Sequence, residues 1–113
     1  MHVQIVNFNL KDMTDAGFRS MANEVARAFA GVPGLLGKIW IADVGKNTYG
    51  GVYIWQDAAA MRAYLASDLA KGVVGNPHFA NLTSRDFEVL SGPTARSGGS
   101  VAASLTALAS LAS

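Results

Sequence analysis

Residues 32–65 contain, in this order, the end of a helix, two strands joined by a hairpin, and the start of a second helix. The dipeptide Pro33-Gly34 is typical of the chain just beyond a helix C-terminus, because neither residue favours continuing the helix. Two runs rich in β-branched and aromatic residues follow, at 35–44 and 48–55, with turn-forming residues between them. Asp57 then predicts the N-cap of a second helix. This order restricts the chain to folds in which helices alternate with a sheet that contains a hairpin.

The segment before it predicts a first strand and a first helix. Residues 3–10 are rich in β-branched residues and have apolar side chains on both faces, which is typical of a strand covered on both sides. Asn7 and Asn9 share one of these faces. Thr14 predicts a helix N-cap, and apolar residues then recur at spacings of three and four, which places them on one helix face. These residues are Phe18, Met21, Val25, Phe29 and Val32.

The second half of the chain predicts one more helix and one more strand. The helix that begins after Asp57 is interrupted by glycines and by Asn76-Pro77, which leaves a loop that presents His78 and Phe79. Its predicted inward-facing residues are Met61, Tyr64, Leu65 and Leu69. Residues 83–90 alternate as a last strand. The predicted order is βαββαβ, the ferredoxin-like arrangement of an α+β domain with an antiparallel sheet.

Two adjacent glycines, Gly50 and Gly51, lie inside the third predicted strand. Glycine within a strand indicates either a β-bulge or a position where another group approaches the backbone closely. The sequence leaves both explanations open.

The composition changes after Pro93, so residues 1–93 are predicted to form the folded domain and residues 94–113 a flexible tail. The tail consists almost wholly of Ser, Ala, Gly, Leu and Thr, and its first part has the composition of a flexible linker. Its second part also contains a weak apolar helical stripe, at Val101, Leu105, Leu108 and Leu111. We expect the disordered form, because such a segment is a poor helix unless it docks.

Charge and composition exclude several classes of function. Nine Lys and Arg against eight Asp and Glu give a net charge of +1 with no basic block, so neither nucleic acid nor a membrane surface is an expected partner. The chain has no cysteine, which excludes disulfides, thiolate chemistry and Cys-ligated metals. The N-terminal residues lack the pattern of a signal peptide, and no apolar run is long enough to span a membrane. We therefore expect a cytoplasmic protein of a single domain.

Several short motifs resemble those of a known family. The chain from about Val3 to Val89 looks like the YdhR-like group of the antibiotic-biosynthesis monooxygenase superfamily, whose fold is a dimeric α+β barrel. A glycine pair, an apolar residue and a tyrosine after a Lys-apolar-Trp strand are fairly specific to this group. The motifs are Pro33-Gly34-Leu35, Lys38-Ile39-Trp40, Gly50-Gly51-Val52-Tyr53-Ile54-Trp55, Ala63-Tyr64-Leu65 and Asp86-Phe87-Glu88-Val89.

The resemblance implies a homodimer with apposed sheets and a pocket between each sheet and its helices. It also implies a monooxygenase that uses O₂ without a cofactor on an aromatic or polyketide-like small molecule. The alternative is a non-oxidative binding protein, or a cyclase or isomerase, that uses the same pocket. A third possibility is a purely structural dimer with a filled core. Because family resemblance transfers activity less well than fold, all three stay open at the sequence level.

Oxygenation without a cofactor requires a base, donors for an oxyanion and apolar walls. We predict His78 or Tyr64 as the base and Asn7 as the residue that holds the oxygen. A histidine has its ordinary pKa near neutrality, and a buried amide must find a partner. The structural alternatives are that His78 is solvated in its loop and that Asn7 belongs to a frayed strand end.

Six further residues are predicted to contact the substrate, with core, interface or surface roles as the alternatives. Most are aromatic and large, and Arg85 could instead pair with a carboxylate of a partner chain. They are Asn9, Trp40, Tyr53, Trp55, Phe79 and Arg85. Two histidines and no suitably spaced carboxylate pair predict no metal site.

Haem degradation is not expected from the resemblance. Relatives with that activity use an Asn on the first strand, a Trp on the second helix and an iron-binding His. Asn7 fits the first role, but Tyr64 stands where the Trp would be. The segment 71–74 offers no histidine, and His78 comes too late in the chain.

Overall fold

The computed structural model of the chain describes residues 1–98. It contains four strands and four helices, with a 3₁₀ turn between the second and third strands. In chain order they are β1 (His2–Leu10), α1 (Asp15–Ala30), β2 (Leu35–Asp43), the 3₁₀ turn (Val44–Lys46), β3 (Thr48–Trp55), α2 (Ala58–Leu65), α3 (Asp68–Val74), β4 (Phe79–Glu88) and α4 (Ser91–Arg96). The apolar stripe that begins at Val101 lies outside the described residues. No helix in residues 1–98 has the length and apolar character needed to cross a membrane.

The four strands form one antiparallel sheet in the order β2-β3-β1-β4. The first and third strands are central, and the second and fourth form the edges, which is the strand order of the ferredoxin-like fold. The prediction of a ferredoxin-like α+β domain is therefore confirmed.

Strand β1 lies at the centre of the sheet and separates two faces of different character. Gln4, Val6 and Phe8 are buried on the face that the helices cover. Val3, Ile5, Asn7 and Asn9 alternate with them and lie on the opposite face, which no helix covers within residues 1–98. We call this second face the open face.

Helix α1 is fixed at its start by local and tertiary hydrogen bonds. The Thr14 side chain accepts a hydrogen bond from the Gly17 backbone N–H at 3.0 Å. The Tyr49 hydroxyl on β3 donates to the Asp15 carboxylate at 2.6 Å, which joins the helix to the sheet. This hydrogen bond lowers the pKa of Asp15, with a smaller contribution from Arg19. The predicted apolar stripe packs inward, and both its first and its fourth residue are buried.

A buried polar pair anchors the other end of the sheet. Trp55 and Gln4 are 0% and 1% exposed, and the indole N–H of Trp55 donates to the Gln4 side-chain oxygen at 3.0 Å. The Gln4 amide nitrogen in turn donates to the Ser84 hydroxyl at 2.9 Å. Because each buried polar group finds a partner, the pair carries no desolvation penalty from an unpaired donor or acceptor.

The structure differs from the sequence-based elements in the second half of the chain. The single predicted helix is two helices, because Ser67 caps a new helix by accepting a hydrogen bond from the Ala70 backbone N–H. Leu65, predicted to face inward, is 42% exposed at the end of α2. The last strand begins at Phe79 and not at residue 83, so Phe79 belongs to a strand and not to a loop. A register shift between Asn7 and Asn9, opposite Asn81 with its positive φ of 55°, allows β4 to start early.

The glycine pair in β3 marks a close backbone approach. A Cβ on Gly50 would lie 1.8 Å from the Val6 carbonyl oxygen of the neighbouring strand. The pairing of β1 with β3 runs through this point without a shift in register, so the alternative of a bulge in β3 does not apply.

We expect Gly50→Ala to destabilise the protein by about 3 kcal/mol or more, because the strands must separate to admit a methyl group. The matched control is Gly72→Ala on helix α3, where a Cβ would meet no atom within 4 Å. This control should be neutral or stabilising by roughly 0.5–1 kcal/mol. Urea denaturation measures both, and equal stabilities for the two variants would contradict the prediction.

Candidate functional site

A cavity of about 240 Å³ lies between the sheet and helices α1 and α3. Its floor is formed by side chains of β1, β2 and β3, and its walls by one face of each helix. The floor and walls are mainly aliphatic and aromatic. The lining residues include Phe29, Lys38, Trp40, Tyr53, Val73 and Phe79.

Lys38 is the one cation among the described residues that line this cavity. Its Nζ atom lies 3.4 Å from the ring centroid of Phe29 and 3.5 Å from that of Trp40. The ring of Tyr53 is 4.6 Å away. The ammonium group therefore sits against the faces of aromatic rings, an arrangement that stabilises a cation through the ring quadrupoles.

Within residues 1–98, Lys38 forms no ion pair, and its side chain is only partly buried. Burial among apolar side chains lowers its pKa from 10.5 to about 7. A lysine with this pKa is present both as amine and as ammonium near neutral pH. Such a group can accept or donate a proton under ordinary conditions.

Gly51 provides the space in which the Lys38 side chain lies. A Cβ at this position would be 2.8 Å from Cε of Lys38 and 3.3 Å from a ring carbon of Tyr53. The two strands pair such that Trp40 is opposite Gly51 and Lys38 is opposite Tyr53. The second glycine of the pair thus shapes the floor of the cavity.

The polar part of the cavity wall comes from helix α3 and the turn after it. Asp68 at the start of α3 and Asn76 after its end both line the cavity. The Asn76 side chain accepts a hydrogen bond from the backbone N–H of His78 at 2.9 Å, which shapes the turn into β4. These groups form a polar edge around an apolar interior.

Trp40, Tyr53 and Phe79 are the predicted substrate contacts that line the cavity. The ring of Phe79 stacks on Phe8 with their centroids 4.1 Å apart. The Trp40 ring meets Phe29 edge to face at 5.5 Å. These contacts hold the aromatic walls in place.

Tyr64 and Trp55 lie behind the cavity and do not line it. The ring centroids of Tyr64 and Tyr53 are 5.8 Å apart, and the two hydroxyls interact. Burial raises the pKa of both tyrosines. A raised pKa makes a tyrosinate scarce at neutral pH, which weighs against Tyr64 as a base. Its catalytic role stays a prediction.

Asn7, Asn9 and Arg85 lie on the open face or at its edge, away from the cavity. The Asn9 amide nitrogen donates to the Asn47 carbonyl at 2.8 Å, and its oxygen accepts from Asn81 at 2.9 Å. The Arg85 guanidinium lies 5.4 Å from the Phe87 ring centroid. The structure does not bring these side chains together with the aromatic cavity, and their predicted roles in substrate binding stay predictions.

His78 is held at the junction of β1 and α1. Its Nδ1–H donates to the Lys11 carbonyl at 2.8 Å, since a carbonyl oxygen can only accept. The His78 ring does not line the cavity, although the neighbouring residue Phe79 does. Its role as a base stays a prediction.

Sequence reasoning missed Lys38, although one signal pointed to it. Lys38 and Trp40 are two residues apart on a strand and must share a face, so a pocket role for Trp40 implies one for Lys38.

Within residues 1–98, no three His, Asp or Glu side chains come together in a way that could hold a metal ion.

Comparison with models of protein families matches residues 3–100 to the family described as "Putative mono-oxygenase ydhR". Comparison with curated proteins found no match.

Several solved structures have the same fold, among them the following three. A putative antibiotic biosynthesis monooxygenase from Deinococcus radiodurans is 17% identical, with 79% of this chain and 92% of that chain covered and a TM-score of 0.64. The cofactor-independent oxygenase SnoaB from Streptomyces nogalater, as its N63A mutant, is 23% identical over 79% and 93%, with a TM-score of 0.63. The haem-degrader MhuD from Mycobacterium tuberculosis is 21% identical over 80% and 96%, with a TM-score of 0.65. At these identities the similarity shows the fold alone.

We expect Lys38→Met to stabilise the protein at pH 7 by about 2 kcal/mol, because it removes the cost of burying an ammonium group. Between about pH 7 and pH 10.5 the unfolded wild type binds one more proton at this lysine than the folded state does. Wild-type stability therefore rises through this range, and the advantage of the variant shrinks towards pH 10.

Urea denaturation at pH 6, 7, 8.5 and 10 measures this difference. Lys71→Met, at an exposed position on α3, is the control and should leave the pH dependence unchanged. A constant difference between Lys38→Met and wild type at every pH would contradict the lowered pKa.

Proposed function

The chain belongs to the family described as putative mono-oxygenase ydhR, and on that premise we propose that it is a cofactor-independent monooxygenase of a small phenolic aromatic molecule. The observation that carries the proposal is the aromatic cavity between the sheet and helices α1 and α3. Apolar walls exclude water from a reactive anion, and the aromatic rings favour a planar substrate. SnoaB, which shares the fold, is a cofactor-independent oxygenase and supports the reaction class.

The size of the cavity favours a substrate with one or two rings. Pockets for drug-sized ligands measure roughly 300–1,000 Å³. At about 240 Å³, the cavity lies just below that range. We therefore propose a hydroquinone or naphthol-like substrate in preference to a larger polyketide.

The proposed reaction needs no reductant other than the substrate. A hydroquinone loses a proton, and the resulting anion transfers electrons to O₂. The substrate gives four electrons in all, one oxygen atom enters the ring as a hydroxyl group, and the other leaves as water. Hydroquinone plus O₂ thus yields hydroxyquinone plus H₂O. The protein's tasks are to take the first proton, to stabilise the anion and to keep water out.

Three side chains are proposed to contact the substrate ring, namely Trp40, Tyr53 and Phe79, since all of them line the cavity. His78, Tyr64 and Asn7 stay proposed participants in the chemistry, although none of them lines the cavity. The double variant His78→Ala, Tyr64→Phe tests the first two. An unchanged rate in this variant would remove both residues from the mechanism.

We expect O₂ uptake when the protein is incubated with one- and two-ring hydroquinones, together with a product that has gained one oxygen atom. An oxygen electrode and mass spectrometry of the product measure both. Val73→Phe should abolish the uptake, because Val73 lines the cavity on α3 and a phenyl ring would fill it. Val74→Phe is the matched control on the same helix, since Val74 is 63% exposed.

Equal O₂ uptake by Val73→Phe and Val74→Phe would show that the reaction takes place outside this cavity. A ligand that binds and raises the melting temperature, but whose product has unchanged mass, would favour the non-oxidative binding protein, cyclase or isomerase.

We further propose that the protein is a homodimer formed through the open face. This face is mainly apolar, although Asn7, Asn9 and Arg85 also lie on it or at its edge. Its partly exposed apolar side chains come from all four strands: Val3, Ile5, Ile39, Ile41, Val52 and Phe87. An uncovered apolar sheet of this kind is typical of a face that packs on another sheet.

We expect Val52→Arg to give a monomer, because Val52 pairs with both Ile5 and Ile39 at the centre of the open face. Val74→Arg, on the helical side of the domain, is the control and should stay dimeric. Sedimentation velocity distinguishes the two. A monomeric wild type, or a dimeric Val52→Arg, would contradict the proposed interface.

A further inference from the structure

We propose that Lys38 is the proton acceptor and anion-binding group of the cavity, and that the substrate is a phenol held there as the phenolate. The proposal rests on the proposed function for the kind of substrate. It concerns a single residue and can be tested without oxygen. The contacts of the Lys38 side chain carry it.

Among the described residues around Lys38, no oxygen atom accepts a hydrogen bond from its ammonium group. Phe29 and Trp40 face its nitrogen at 3.4 and 3.5 Å, and Tyr53 at 4.6 Å. Rings stabilise the positive charge but accept no conventional hydrogen bond, so the three N–H donors of the ammonium have no oxygen partner within residues 1–98. The cavity is the side from which a ligand oxygen can reach the nitrogen.

Charged and titratable groups near Lys38 do not replace that partner. Asp68 of helix α3 lines the same cavity but forms no ion pair with Lys38. Tyr53 of β3 faces Lys38 and is neutral at ordinary pH, because burial raises its pKa. Helix α1 contributes only the Phe29 ring to the contact. The lysine is therefore the one group in this part of the cavity that can change charge near neutral pH.

An unpaired lysine in an apolar cavity lowers the stability of the folded protein, and an aliphatic residue at the same position would not. Residues that break the rules of core packing are concentrated at functional sites. Gly51 supports a specific role, since its missing side chain leaves the space that the lysine occupies. The absence of a side chain at Gly51 thus makes room for the side chain of Lys38 on the neighbouring strand.

The proposed step moves one proton. The phenol O–H bond breaks, its electron pair stays on oxygen, and the proton forms a new N–H bond with the neutral Lys38 amine. The resulting ammonium then donates hydrogen bonds to the phenolate. A charge-assisted contact of this kind is stronger in a water-poor cavity than in solution. The same ammonium can balance the negative charge that develops when electrons pass to O₂.

The test uses 4-nitrophenol, a one-ring phenol whose phenolate absorbs visible light and whose neutral form does not. Under anaerobic conditions at pH 6, the wild type should bind it and show the phenolate spectrum. Lys38→Met should lose this spectrum and bind about tenfold or more weakly. Lys71→Met, exposed on α3, should behave as wild type. Absence of the phenolate spectrum in the wild type, or its persistence in Lys38→Met, would overturn the proposal.

Lys38→Arg separates anion binding from proton transfer. Arginine stays charged, so it can bind the phenolate but cannot accept its proton. We expect the phenolate spectrum of 4-nitrophenol to be retained and O₂ uptake with hydroquinone to fall at least tenfold. Undiminished uptake in Lys38→Arg would overturn the role of Lys38 as base.

The two proposals fail in different ways. If the wild type binds the phenolate through Lys38 but takes up no O₂ with any hydroquinone, the monooxygenase function fails and the Lys38 site stands. If O₂ uptake is the same in Lys38→Met as in wild type, the function stands and the role of Lys38 is overturned. The melting temperature of each variant shows that it is folded.

Discussion

The close approach of strands β1 and β3 at Gly50 is the constraint on which the rest of the domain depends. The space beside the Val6 carbonyl admits only a hydrogen atom, so the central strands can pair in one register through this point. That register places Gly51 on the helical face, where its missing side chain leaves room for Lys38. The two adjacent glycines thus have different tasks: the first brings the backbones together and the second opens the floor of the cavity. A side chain at either position would alter the sheet or fill the site.

Lys38, which occupies that space, is the one cation among the described residues that line the cavity. Aromatic rings offset part of the cost of its charge, and burial lowers its pKa to about 7. By contrast, the polar groups of the core are paired, as in the bond between Trp55 and Gln4. A ligand that completes the hydrogen bonds of Lys38 accounts for this residue in physical terms.

The sheet divides the molecule into two surfaces with different chemistry. Its helical face holds the aromatic cavity, and the open face presents apolar side chains of all four strands. Alternation along each strand keeps the two sets apart, because neighbouring residues point in opposite directions. Changes in the cavity and changes in the open face are therefore expected to act independently, as groups separated by a sheet share few contacts.

Local signals in the sequence determined most elements of this protein, and the order of those elements determined its fold class. Thr14, Asp57 and Pro33-Gly34 mark helix ends through contacts within a few residues, so they could be recognised without the structure. The start of β4 could not, because it depends on a register shift opposite a distant strand. Alternation also placed Asn7 and Lys38 on definite strand faces, but it does not say which face the helices cover. Only the tertiary structure decided that the helices pack on the side of Phe8 and Trp40. That packing leaves Asn7 on the open face and places Lys38 in the cavity, since the choice depends on contacts between segments far apart in the chain.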